Sequence, residues 1–223
     1  MKRIVSLIIV FGLLCSLVSC KEKNREYDEN EVKLAAESLI RKSAELNYIF
    51  WGEGIGYIND ASYSVGYYYP ADIFSLSSYG IETIDDLKEK TKKVFSSSYS
   101  ENIFSTVLSS LSDGDEIYGF ARYYQKYSDA ENKEPECIMV YSKSIVLLKD
   151  EVSYNFDTLK VIGSKKQTVY LTLSVNVKRG EQTQTRDLRV GLVEEEAGWR
   201  IDTPTYMSYV ENDDYQVWTA AVK

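Results

Sequence analysis

Residues 169–177 alternate without a break: Val169, Leu171, Leu173, Val175 and Val177 are apolar, with Tyr170, Thr172, Ser174 and Asn176 between them and Lys178 after them. A period of two puts one set on each face of an extended chain. Such a strand belongs in a sheet with one buried and one wetted face. Leu188, Val190 and Leu192 repeat the pattern after a turn at residues 180–182, so the two segments read as an antiparallel hairpin.

The N-terminal half has a different period. Val32, Ala35, Ala36, Leu39, Ile40, Ser43, Leu46 and Phe50 recur at helical spacing, and charges fill the other faces, which predicts an amphipathic helix over 30–51 ending at Gly52. Thr83-Ile84-Asp85-Asp86 resembles a capping box with Asp in place of Glu, and predicts a second helix over 84–96. A third is expected over 100–111. Residues 62–69 read as an exposed or edge strand stopped by Pro70. Strand-like runs follow at 117–127, 137–148 and 153–162, with a turn at 163–166. A last hairpin at 197–201 ends at Pro204. Helices first and adjacent strands after define the α+β class: N-terminal helices packed on a curved antiparallel sheet. One domain is expected over 31–204, with a tail over 205–223. The second face of the sheet is expected to need a cover.

The first twenty residues carry a separate signal. Lys2 and Arg3 precede an apolar run from Ile4 to Leu14, and Leu17-Val18-Ser19-Cys20 follows. A basic start, a short apolar run and small residues before a cut mark a secretory signal, here residues 1–19. Leu-Val-Ser-Cys is similar to a bacterial lipobox, which implies lipid (palmitate) on Cys20 and a chain held on the extracytoplasmic side of a bacterial membrane. The polar residues 20–30 read as its tether.

Composition excludes most catalytic machinery. The 223 residues include no histidine, so the imidazole-dependent triads and His-ligated metal sites are out of reach. Lys and Arg total 26 against 34 Asp and Glu, a net charge of −8 that disfavours nucleic acid. Of the three cysteines, Cys15 leaves with the signal and Cys20 carries lipid. Cys137 then remains alone in a strand-like run, and reads as a small buried hydrophobe. Gly52-Glu53-Gly54-Ile55-Gly56 follows a helix instead of opening one, the wrong order for a phosphate loop. The carboxylates at Asp60, Asp113, Asp115, Glu116, Glu194–Glu196, Asp213 and Asp214 read as solvated turns. No cofactor, no metal and no enzymatic activity are expected.

Tyrosine is the one excess, with 19 residues, and Tyr57, Tyr63, Tyr67, Tyr68, Tyr69 and Tyr79 crowd one segment. Tyrosine offers a large rigid contact area with a polar tip, so Tyr67, Tyr68 and Tyr69 are the candidate partner-binding residues. The alternative use of these rings is to pack sheet faces.

The element order also carries a resemblance. A helix ending in an aromatic-glycine stretch leads to a tyrosine-rich segment and a Thr-Ile-Asp-Asp-Leu helix start. A Phe-Ser-Ser-Ser-Tyr-Ser-Glu-Asn-Ile-Phe stretch follows, and a long hairpin closes in Ala-Gly-Trp-Arg-Ile. Over residues 31–204 this resembles the secreted inhibitors of cell-wall DL-endopeptidases (the IseA type) and the NTF2-like extracytoplasmic lipoprotein domains. The first likeness implies an envelope protein partner, a peptidoglycan hydrolase. The second implies a cone that encloses a small ligand. A deep pocket between helices and sheet would favour the second; a filled core with a tyrosine-rich surface would favour the first.

Overall fold

The computed structural model describes residues 27–108, 121–127, 136–143 and 149–208. The expected signal at 1–19, Cys20, the acidic groups at 113–116 and 213–214, and the chain beyond residue 208 lie outside the described residues.

Helix α1 spans Glu29–Trp51. Asp28 caps it: its Oδ1 accepts from Asn30 N at 2.8 Å and from Glu31 N at 3.3 Å. Glu29 and Glu31 add negative charge where the helix dipole is positive. Of the expected stripe Val32, Ala36, Leu39, Ile40, Ser43, Leu46 and Phe50 are buried and Ala35 is half-buried, and Ile49 joins them in the core. Solvent-side pairs Glu29–Lys33 and Glu37–Arg41 stand one turn apart.

The main sheet is an antiparallel meander of β4 (Glu151–Lys165), β5 (Thr168–Arg179), β6 (Gln182–Glu195) and β7 (Gly198–Ile201), in that spatial order. Val169, Leu171, Leu173, Val175 and Val177 all face the core, opposite Leu188, Val190 and Leu192. Each contributes about 1.5–3 kcal/mol by leaving water. Helix α1 lies against this face and touches β4 and β7. At its start Glu31 accepts from Trp199 Nε1 at 3.2 Å.

Three expectations about this sheet are corrected. The turn after β4 is Lys166-Gln167 and not 163–166, because Lys165 already pairs with Thr168. Gly163 sits inside β4 at a register shift, with φ +147, a conformation open to glycine. Among the described residues the outer face is polar and not apolar, with Thr172, Ser174 and Asn176 on it, and an antiparallel sheet tolerates water on such a face. The strands also divide between two sheets. A second, three-stranded sheet holds β1 (Tyr68–Pro70), β3 (Cys137–Tyr141) and β2 (Tyr123–Lys126), in that order. Pro70 belongs to β1 instead of stopping before it; at a sheet edge its missing donor is tolerated, and its carbonyl accepts from Ile58 N at 2.9 Å. Cys137 is half-buried on β3, with its Sγ 3.6 Å from Met139 Sδ.

The short helices are α2 (Ile73–Tyr79), α3 (Ile84–Lys92) and α4 (Ser97–Val107). The capping box of α3 forms as read: Thr83 Oγ1 accepts from Asp86 N at 3.1 Å, and Asp86 Oδ2 accepts from Thr83 N at 2.8 Å. Helix α3 stops before the expected residue 96 because residues 94–96 run beside β7. Ser96 N donates to Ile201 O at 2.8 Å and Ile201 N to Val94 O at 3.0 Å. Ser96 then caps α4, so α4 begins three residues earlier than its apolar spacing suggested. Packing runs past both ends of residues 31–204. Tyr27 packs on the core, and Thr205 is fully buried.

Candidate functional site

Among the described residues, exposed large apolar side chains gather at residues 57–74. Tyr57 pairs with Ala71 across the base of an excursion that leaves and rejoins the small sheet. Asp60 nucleates a single 3₁₀ turn at Ala61–Tyr63; its Oδ1 accepts from Ser62 N at 2.9 Å and Ser62 Oγ at 2.6 Å. Those bonds hold the Asp60 carboxyl below its ordinary range. Val65 and Tyr68 exchange backbone bonds of 2.9 and 3.0 Å and close the tip.

Seven of the eleven large exposed hydrophobic residues in the described chain fall in this segment: Tyr57, Ile58, Tyr63, Val65, Tyr67, Ile73 and Phe74. Phe74 is 81% exposed and Tyr63 62%. Exposed large apolar side chains gathered on one segment mark an interaction site more often than scattered ones do. Asp60 and Asp72 are the charges within the segment.

The three consecutive tyrosines separate into different roles. Tyr67 is exposed, and its carbonyl is held by Ser142 N at 2.9 Å and Ser142 Oγ at 2.8 Å. Lys143 Nζ lies 3.4 Å from its ring centroid, so the ring face already accepts an ammonium. Tyr69 is half-buried and stacks on Tyr57 with centroids 5.4 Å apart. Tyr68 is a correction. It is 3% exposed, and its ring packs between Tyr124 and Tyr141, each at 5.0 Å. Its hydroxyl donates to Ala121 O at 2.6 Å, and burial raises the phenol pKa. Strand pairing separates Tyr68 from Tyr69, since successive residues of β1 point to opposite faces, while Tyr67 lies in the turn before the strand.

Ile73 and Phe74 were missed by sequence reasoning. Their signal was Asp72, which caps α2 through Phe74 N at 3.0 Å and so turns the first helical residues outward. Between α1 and the main sheet, Leu39, Ile40, Leu46, Leu171, Leu173 and their neighbours pack into one core. Among the described residues no helix is long and apolar enough to cross a membrane, and no cluster of three acidic or cysteine side chains could hold a metal. No family model, no curated protein and no solved structure matches the chain.

Proposed function

We infer that this chain is a lipid-anchored extracytoplasmic binding protein of bacteria, of the IseA or NTF2-like type, whose residues 57–74 dock a protein partner in the cell envelope. The single observation that carries this reading is the concentration of exposed aromatic and aliphatic side chains on one segment beside a packed core. The position of the loop supports it too. Cys20 would enter the fold at Asp28, and α1 then runs 23 residues, about 34 Å at 1.5 Å per residue, before the loop begins. The loop would then lie near the end of α1 away from the proposed tether. The acidic balance of the chain would speed association with a basic partner such as a wall hydrolase.

The test is direct. Full-length protein should slow digestion of peptidoglycan by DL-endopeptidases of the source organism, and a Tyr63/Tyr67/Phe74→Ala variant should do so less. Cys20→Ala should abolish lipid attachment. Absence of any effect on a panel of such hydrolases would remove the inhibitor reading, and detergent-phase partitioning of Cys20→Ala with lipid attached would remove the anchor.

A further inference from the structure

A groove of about 670 Å³ lies between the C-terminal half of α1 and the start of β4, within the size range of small-molecule sites. Three tyrosines line it: Tyr48 from α1, Tyr154 from β4 and Tyr206 from the segment after β7. It is separate from the 57–74 loop.

The polar groups of this groove lean one way. A buried chain of hydrogen bonds links Asn47 Nδ2 to Thr205 Oγ1 at 2.9 Å, Thr205 Oγ1 to Ser43 Oγ at 2.7 Å, and Ser43 Oγ to Ile40 O at 2.8 Å. The backbone carbonyl at its end can only accept and the carboxamide nitrogen at its head can only donate, so the two hydroxyls pass their protons toward Ile40. This orients the Asn47 amide and leaves Oδ1 facing the other way. Asn47 is 4% exposed and lines the groove, yet Oδ1 accepts no hydrogen bond among the described residues. Nor is it sealed from solvent: among the described residues the sealed, unpartnered side-chain atoms are Trp51 Nε1 and Arg122 Nε. An acceptor that the fold leaves open in a groove is available to a donor from a ligand.

The charges agree. Three carboxylates line the groove against one ammonium, Lys149. Asp150 is held by Arg179 at 2.6 and 3.0 Å, and Glu151 by Lys178 at 3.4 Å. Glu53 receives one long bond, 3.3 Å from the Tyr48 hydroxyl, and keeps its other acceptor sites open. Aromatic faces beside a carboxylate and an open amide oxygen complement an organic cation with N–H donors.

We propose that this groove binds a small primary ammonium, its N–H groups on Asn47 Oδ1 and Glu53 and its carbon chain against Tyr48, Tyr154 and Tyr206. Tyr154 is well suited to the part: its hydroxyl is committed to Thr205 O at 2.9 Å, which leaves the ring to face the ligand.

Calorimetric titration of the full-length protein in detergent tests this, with cadaverine as probe and 1,5-pentanediol as its uncharged counterpart. Cadaverine should bind with one-to-one stoichiometry and pentanediol at least about tenfold more weakly. Glu53→Gln should weaken cadaverine by about tenfold, while Glu101→Gln, an exposed change on α4, should leave it unaltered. Asn47→Leu should also weaken it; because Asn47 is buried, circular dichroism must show that variant folded, and Glu53→Gln decides the question alone if it is not. No heat at millimolar cadaverine, equal binding of the diol, or equal losses at Glu53 and Glu101 would each overturn the proposal, the last by reducing it to general attraction to an acidic surface.

Discussion

Arg122 donates from Nη2 to the carbonyl of Gly52 at 2.6 Å and so closes the C-terminal end of α1. Nη1 reaches Phe50 O at 3.0 Å, and the neighbouring Tyr123 hydroxyl donates to Ile49 O at 2.7 Å while accepting from Ile55 N at 3.1 Å. These carbonyls end a helix and have no donor within it. A cation there also offsets the negative end of the helix dipole. Arg122 is 6% exposed.

Arg122→Ala should therefore destabilise the fold by about 2–4 kcal/mol, because it strands two buried carbonyls and leaves a cavity. Gly54→Ala should be comparably harmful. Its φ is +78, and a Cβ would collide with Tyr123 Oη and Arg122 Nη2. Urea denaturation measures both; a loss under about 0.5 kcal/mol in either would show that the closure is not structural.

Leu173→Ala should cost about 2–5 kcal/mol, since Leu173 is fully buried at the middle of the inner face. Lys178→Ala, whose exposed partner Glu151 lies 3.4 Å away, should cost under about 1 kcal/mol. The contrast between them reads the strand register from stability alone.

Alkaline pH should unfold the protein. Burial pushes the phenols of Tyr99, Tyr123 and Tyr206 above 10.0 and that of Tyr154 up to about 12. Above pH 10 the unfolded chain releases these protons and the folded one retains them. Stability is then fully present below about pH 10 and is lost as pH rises toward 12. With no histidine in the chain, melting temperature should stay nearly flat between about pH 6.5 and 8. A tyrosinate absorbance titration that rises smoothly from pH 10, with no cooperative step, would contradict the buried set.

Substitutions in the 57–74 segment should separate contact from scaffold. Phe74→Ser and Tyr63→Ser remove exposed rings and should change stability by no more than about 0.5 kcal/mol. Tyr68→Ser removes a ring held between Tyr124 and Tyr141 and should cost about 2–4 kcal/mol. Thermal melts distinguish the two groups, and a destabilised Phe74→Ser would show that this surface is packed.

Local order in the sequence determined what local physics controls. The alternation at residues 169–177 specified both the strand and its buried face, because a period of two leaves one arrangement of side chains. The helical stripe from Val32 to Phe50 and the Thr83/Asp86 cap were equally self-contained, each formed by residues a few positions apart. The tyrosine-rich segment stood out by composition alone. Tertiary structure decided what depends on partners distant in the chain. Which strands shared a sheet followed from pairing β1 with β3, some seventy residues later. That pairing buried Tyr68 and left Tyr67 outside, a distinction three identical side chains could not carry. Helix α3 ended early because Ile201 competed for the backbone of residues 94–96. Arg122, a charge that composition would assign to the surface, lies inside because the carbonyls at the end of α1 needed a donor. Asn47 lines its groove with its amide nitrogen committed to Thr205, a partner far along the chain.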